Sequence, residues 1–179
     1  PFTHRTPVSR LDAAPRPAAS CAPPGGGLMI RSAAIDNLPV LMDIEHRCFL
    51  RDQFSEALYT GFLLRPDCEV FLYLAGETPI GSMVLLFPAE LEACHVISVA
   101  VVPEHQGHGF GRELMAWAEA RALAKRCRQL QLEVRKNNRR ARAIYEALDY
   151  RKIRVLKDYY GKGVDGILYV KSLPECSTR

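Results

Sequence analysis

Apolar positions recur along the chain with two different spacings, one typical of helices and the other typical of strands. Within 36–49 one set of apolar residues recurs at helical spacing, which predicts an amphipathic helix; these residues are Leu38, Leu41, Met42, Ile44 and Cys48. The apolar runs 69–75 and 79–87 are separated by Gly-Glu-Thr-Pro, which predicts an antiparallel hairpin. The same criteria predict further strands at 29–34, 93–102, 129–134, 150–157 and 166–173, and further helices at 54–64, 109–125 and 138–148. The fold class is therefore an α/β mixture with a central, mostly antiparallel sheet.

The first 28 residues differ in composition from the rest of the chain. They are rich in Pro, Ala, Ser and Gly and carry the run Pro-Pro-Gly-Gly-Gly near their end, so we expect a disordered extension at 1–28. The remaining chain is long enough for one domain, and 48% hydrophobic residues suffice for a sizeable core. We place this domain at 29–173, followed by a short tail at 174–179.

Positive charge is concentrated in one part of the chain. The segment 125–157 holds 12 of the 24 Lys and Arg residues, whereas its acids are only Glu133, Glu146 and Asp149. Such a surface suits an anionic cofactor or an acidic partner. The run has no interleaved aromatic residue before Tyr145, which disfavours a nucleic-acid module.

The cysteines and the apolar runs bear on the compartment. No apolar stretch approaches the roughly 20 residues that a membrane helix needs, so we expect a cytoplasmic protein with no membrane partner. We expect the protein to be either a monomer or a homodimer. The cysteines form no C-x-x-C pair, which favours reduced thiols, and two of them, Cys48 and Cys94, lie in apolar runs as core residues do. The six are Cys21, Cys48, Cys68, Cys94, Cys127 and Cys176.

A glycine-rich turn joins the predicted strand 93–102 to the predicted helix 109–125. The chain there reads Gln-Gly-His-Gly-Phe-Gly, with Gln106, Gly109 and Gly111 in a Gln-x-x-Gly-x-Gly pattern. Glycines let the backbone approach a ligand closely, and a helix N-terminus offers unpaired N–H groups to an anion. The spacing is neither that of a dinucleotide-binding fold nor that of a nucleotide triphosphate loop. Taken alone, the turn predicts either a pyrophosphate site or a tight connection that binds no ligand.

The order of these elements resembles that of the GNAT superfamily of acetyl-CoA-dependent N-acetyltransferases over about residues 29–173. The segment Leu-Glu-Val-Arg at 132–135, the later Ile-Tyr-Glu at 144–146 and the Tyr-Tyr pair at 159–160 are similar to those of ribosomal-protein alanine N-acetyltransferases and their N-terminal acetyltransferase relatives. The resemblance implies an enzyme that uses acetyl-CoA. It also implies a mixed sheet of six to seven strands, splayed between its fourth and fifth strands and flanked by about four helices.

Acetyl transfer needs an uncharged amine, a donor to the thioester oxygen and an acid for the leaving thiolate. The resemblance implies that Glu133 is the general base and Tyr145 the general acid, and that Tyr159 and Tyr160 contact the acceptor. The residues implied to bind the coenzyme are Val99, Val101, Gln106, Gly107, His108, Gly109, Phe110, Gly111, Arg112, Asn138 and Tyr145.

The sequence also allows purely structural roles for the same side chains. In these, Glu133 faces solvent and pairs with Arg135 or Arg151, and Tyr145 is a core tyrosine. His95 is either a second candidate base or a half-buried strand histidine. Finally, the histidines at 105 and 108 flank the turn without carboxylate or thiol partners at ligand spacing, so no metal site is expected.

Two departures from the family pattern concern a helix end and the acceptor. Asp149 stands where a glycine is usual, at a helix end that favours left-handed backbone. Residues 48–55 replace a Pro-Trp-Ser type segment. A carboxylate base suits a protein N-terminal α-amine best. The pKa of the α-amine, about 7.7–8.0, lies well below the value of about 10.4 for lysine, so the α-amine is more easily deprotonated. The alternatives are a small-molecule amine such as an amino acid, polyamine or antibiotic, and a non-catalytic acyl-CoA-binding module.

Overall fold

A computed structural model describes residues 28–89 and 92–174, and these form a seven-stranded sheet with four α-helices. Every predicted strand and helix is present, with both ends within two residues of the prediction. The first strand begins at residue 28 rather than 29, and the remainder of the predicted extension and most of the tail lie outside the described residues. The strands are β1 (Leu28–Ser32), β2 (Cys68–Ala75), β3 (Thr78–Leu86), β4 (Ala93–Val101), β5 (Gln129–Arg135), β6 (Arg151–Leu156) and β7 (Gly166–Ser172). The helices are α1 (Leu38–Cys48), α2 (Glu56–Leu64), α3 (Phe110–Ala124) and α4 (Arg139–Ala147).

The strands are ordered β1-β2-β3-β4-β5-β7-β6, and every neighbouring pair is antiparallel except β4 with β5. That parallel pair is short, because only residues 93–95 are in register with residues 129–131. Beyond this point the two strands separate. The predicted splay between the fourth and fifth strands is confirmed.

Strand β4 lies at the centre of the fold, and all nine of its residues are buried. Its pairing with β3 contains a bulge, because Val84 is opposite Ser98 whereas Leu85 is opposite Val96, which leaves Ile97 as the extra residue. Elsewhere the two backbones approach very closely. A Cβ atom at position 81 would lie 2.4 Å from the carbonyl oxygen of Ala100, so β3 requires a glycine there.

The connection between α1 and α2 is held by a buried carboxylate. Glu45, on α1, is completely buried; its Oε1 accepts a hydrogen bond from the Phe54 backbone N–H at 2.7 Å and its Oε2 accepts one from the Tyr59 hydroxyl at 3.2 Å. Phe54 also packs edge-to-face on Tyr59 and on Phe62. These contacts fix the α1–α2 loop against the two helices that it joins.

The cysteines at 48 and 94 are buried, as predicted for core residues, and the four cysteines of the described ranges are free thiols. Burial raises the pKa of Cys48 to about 12, so this thiol stays protonated at neutral pH.

The helices within 28–89 and 92–174 include none with the length and the apolar character that a membrane span needs.

Candidate active site

The glycine turn adopts backbone conformations that other residues rarely reach. Gly107 has φ of +87° and Gly109, the N-cap of α3, has φ of +89°. Nothing lies within 4 Å of a Cβ atom built on Gly109, so its backbone angle, and not crowding, requires glycine. The turn thereby directs the start of a 15-residue helix, with its unpaired N–H groups, toward an open space.

A cavity of about 490 Å³ opens on this turn. It gathers seven of the eleven residues predicted to bind the coenzyme, whereas Val99, His108, Asn138 and Tyr145 are not among its lining residues. His108 instead stacks on the ring of Phe110, with 5.9 Å between ring centroids. The lining residues are Val101, His105, Gln106, Gly107, Gly109, Phe110, Gly111, Arg112, Arg140, Ala143 and Ile144.

The wall formed by α4 was missed at the level of sequence. Arg140 is its charged member, and its Nη1 lies 3.3 Å from Oε1 of Gln106. The amide nitrogen of Gln106 in turn donates to the carbonyl oxygen of Val101 at 2.8 Å. The sequence signal was only a basic stretch, because the contact between α4 and the turn depends on the tertiary fold.

Beyond its bulge, β4 presents backbone groups to the gap between β4 and β5. The Val102 N–H donates to the Ile80 carbonyl, so the flanking pair of Val101 with Gly81 is a non-hydrogen-bonded pair. The alternation of the antiparallel ladder places Val99 in the same class. The N–H and C=O groups of Val99 and Val101 therefore point away from β3 and toward the gap, where β5 has already diverged.

A buried acid and base meet where β4 and β5 begin to separate. Glu133 and His95 are each 7% exposed, and Oε2 of Glu133 lies 2.6 Å from Nε2 of His95. The alternative in which Glu133 faces solvent is therefore wrong. Arg135, one of the partners considered for it, forms an ion pair with Asp52 of the α1–α2 loop.

Tyr159 and Tyr160 follow β6 and lie beside this pair. The Tyr159 hydroxyl hydrogen-bonds Glu133; burial, and after it the charge and hydrogen bond of Glu133, raise the pKa of Tyr159 well above its ordinary value. The phenol thus remains a donor to the carboxylate at any physiological pH. Tyr160 packs edge-to-face on Tyr159 at 5.1 Å, and the Arg135 guanidinium lies 4.8 Å from the Tyr160 ring centroid. Arg135 thus links the α1–α2 loop to Tyr160, and Tyr159 links Tyr160 to Glu133.

Tyr145 and Asn138 have clear structural environments on and before α4. The Tyr145 side chain is completely buried and its ring packs against Tyr150 and Tyr169, with centroids 5.9 and 6.2 Å away. The Asn138 side-chain oxygen caps α4 by accepting from the Ala141 N–H at 3.0 Å. The roles predicted for both residues toward the coenzyme stay predictions.

Asp149, two residues after the end of α4, has left-handed backbone. Its φ of +65° is the left-handed conformation expected at this helix end. Aspartate tolerates this conformation better than most side chains do. The helix end is therefore retained in spite of the substitution.

Comparison with known proteins supports a single family. Residues 38–150 match the model of the acetyltransferase (GNAT) family. An N-alpha-acetyltransferase of Saccharolobus solfataricus is 26% identical over 161 residues, which cover 83% of this chain and 95% of the relative. An uncharacterized N-acetyltransferase of Methanocaldococcus jannaschii is 30% identical over 152 residues, covering 82% of this chain and 93% of that protein. The crystal structure of the ribosomal-protein-S18-alanine N-acetyltransferase from Escherichia coli has a TM-score of 0.74 at 21% identity, covering 86% of this chain and 99% of that one.

Proposed function

Because this chain belongs to the GNAT family of acetyltransferases, we propose that it transfers the acetyl group of acetyl-CoA to the α-amine of a protein N-terminus, by direct transfer within a ternary complex. The observation that carries the proposal is the buried contact between Glu133 and His95, with Tyr159 on the same carboxylate. This contact supports a role for Glu133 as the proton acceptor, beside the point where β4 and β5 stop pairing. The name of the Saccharolobus relative supports the choice of an α-amine.

The residues of the glycine turn fit the phosphates of acetyl-CoA. Left-handed glycines at 107 and 109 expose backbone N–H groups at the start of α3, beside a cavity of about 490 Å³. The backbone N–H and C=O of Val99 and the N–H of Val101, which face the gap, fit the amide-containing arm of the coenzyme, whereas the Val101 carbonyl oxygen already accepts from Gln106. The bound coenzyme would supply the acetyl thioester, and the chain would supply orientation and proton transfer.

Glu133 is suited to take a proton from an α-ammonium group, directly or through a water molecule. A neutral α-amine is easily obtained near neutral pH, whereas a lysine amine, with a pKa about 2.5 units higher, costs roughly 3 kcal/mol more to deprotonate. His95, in contact with the carboxylate at 2.6 Å, can share that proton, and the Tyr159 hydroxyl orients the carboxylate. Burial of the pair keeps bulk water away from the transfer.

A panel of acceptors tests the proposal. Peptides with a free α-amine and no lysine are compared with matched peptides that have a blocked N-terminus and one internal lysine, and with spermidine. We expect thiol release with the free α-amine peptides, and mass spectrometry should place the acetyl group on the first residue. Transfer only to lysine or spermidine would contradict the α-amine assignment. Binding of acetyl-CoA without transfer to any acceptor would identify a non-catalytic module.

Tyr145 is proposed as the acid that protonates the leaving thiolate, and Tyr145→Phe tests this role. We expect kcat to fall about a hundredfold, since the phenol proton is lost while the ring that packs on Tyr150 and Tyr169 is kept. The Kd for acetyl-CoA, measured by calorimetry, should change less than about twofold, because the contacts that bind the ground state of the coenzyme are retained. If Kd and kcat worsen together, or if the melting temperature falls sharply, Tyr145 acts in packing and not as the acid.

A further inference from the structure

The cations around the start of α4 differ in whether they have an acidic partner. Arg135 pairs with Asp52, Lys136 lies 3.1 Å from Asp165, and Arg142 lies 3.7 Å from Glu146. The guanidinium of Arg140 forms no ion pair with any residue in the described ranges. Its one hydrogen-bond neighbour there is the neutral amide of Gln106, at 3.3 Å. Arg139 likewise forms no ion pair with any described residue, and of these two unpaired cations only Arg140 lines the cavity.

Arg140 lies at the cavity, facing the glycine turn. It is one of the cavity's lining residues, and its Nη2 is 4.0 Å from the position that a Cβ atom of Gly107 would occupy. The turn contributes backbone N–H groups from one side, and Arg140 contributes a planar fork of N–H donors from the other. Two sets of donors therefore border one space of about 490 Å³, an arrangement that suits a phosphate group.

The position of this charge is unfavourable for the helix itself. Arg139 and Arg140 occupy the first turn of α4, which contains no acidic residue, so both cations lie at the positive end of the helix dipole. An arginine placed there for stability alone would be a poor choice. An anion bound in the cavity would turn the same charge into a favourable contact.

We propose that Arg140 binds a phosphate group of the coenzyme from the α4 side of the cavity, an assignment that rests on the proposed use of acetyl-CoA. The guanidinium can form two parallel hydrogen bonds to phosphate oxygens, which a lysine ammonium cannot. The coenzyme has two sources of this chemistry, its pyrophosphate and its 3′-phosphate. Arg140 is thus a specificity residue for the cofactor that the sequence pattern did not identify.

The Kd for acetyl-CoA, measured by calorimetry without any acceptor, tests the assignment. We expect Arg140→Ala to weaken binding about tenfold or more, and Arg140→Lys to recover only part of that loss. The matched control is Arg139→Ala, because Arg139 precedes Arg140 on the same turn and is not a lining residue of the cavity. The control should change Kd less than about twofold.

Binding of 3′-dephospho-acetyl-CoA to the same variants separates the two phosphate sources. If Arg140 contacts the 3′-phosphate, wild type and Arg140→Ala bind this analogue equally. If it contacts the pyrophosphate, the difference between them persists. Either result supports the proposal.

Thermal unfolding supplies a readout with the opposite sign. Without ligand, both alanine variants should melt slightly higher than the wild type, because each removes a cation from the start of α4. Saturating acetyl-CoA should then raise the melting temperature less for Arg140→Ala than for Arg139→Ala. Equal Kd values for the two alanine variants, with normal binding by the wild type, would overturn the role of Arg140 and leave the proposed function intact. A wild type that binds no acetyl-CoA would overturn both.

Discussion

Replacing Glu133 with Gln is expected to lower kcat by about a thousandfold while the Kd for acetyl-CoA stays within about twofold of the wild-type value. Glutamine has nearly the same shape, and it can still hydrogen-bond His95 and Tyr159 inside the buried cluster. It has no basic carboxylate, however, and therefore cannot accept the amine proton. Stopped-time thiol release with an α-amine peptide gives kcat, and calorimetry gives Kd.

The loss should shrink as the pH is raised. Above the α-amine pKa of about 8 the peptide is already neutral, so the variant no longer depends on an enzymic base to obtain the nucleophile. His95→Gln serves as the comparison, since it removes the neighbour of Glu133 and leaves the carboxylate. If His95→Gln loses more activity than Glu133→Gln at every pH, then His95 is the base and Glu133 positions it.

Gly81→Ala is expected to destabilise the folded protein by about 3 kcal/mol, which lowers the melting temperature by roughly 6–12 °C for a chain of this size. The added Cβ atom would lie 2.4 Å from the Ala100 carbonyl oxygen, and this neighbour is backbone, which cannot rotate away as a side chain does. Relief requires β3 and β4 to separate at the point where Val101 pairs with Gly81. Thermal and urea unfolding measure the change.

Gly61 offers a control of opposite sign for the same chemical substitution. It lies within α2, and nothing stands within 4 Å of a Cβ atom built on it. Gly61→Ala should therefore stabilise the protein by about 0.5–1 kcal/mol through helix propensity and reduced freedom of the unfolded chain. A Gly81→Ala variant as stable as the wild type would contradict the close approach of β3 and β4.

Local patterns were enough to predict the helices, the strands and the position of the glycine turn, whereas the splay of the sheet was implied by the family resemblance. Apolar residues repeat with the period of the helix or strand that they belong to, so their spacing identifies the element. The left-handed backbone of Gly107 and Gly109 likewise depends on a few consecutive residues. The same is true of Asp149, whose conformation follows from the way a helix ends. Features of this kind carry their own evidence in the sequence.

The contacts that complete the site join residues distant in sequence, and no local pattern reveals them. His95 and Glu133 are 38 positions apart in the sequence. They meet because β4 and β5 are neighbouring strands, and Glu133 lies two residues after Gln131, the residue of β5 that pairs with His95. A strand histidine considered alone gives no sign of such a partner. Similarly, the sequence shows Glu45 on an amphipathic helix, where an acid usually faces solvent. In the structure this carboxylate is buried, and its hydrogen bonds to Phe54 and Tyr59 compensate for the loss of water. Pairing of charges across a fold needs the topology first.

The bulge at Ile97 has a consequence for the energetics of ligand capture. It lies two residues after His95, the last residue of β4 that pairs with β5, and a bulge bends its strand and increases its twist. The separation of the two strands is therefore built into the covalent chain and its pairing with β3. The gap is preorganised: an incoming coenzyme does not have to pry two hydrogen-bonded strands apart, and none of its binding free energy is diverted to a conformational change at this point.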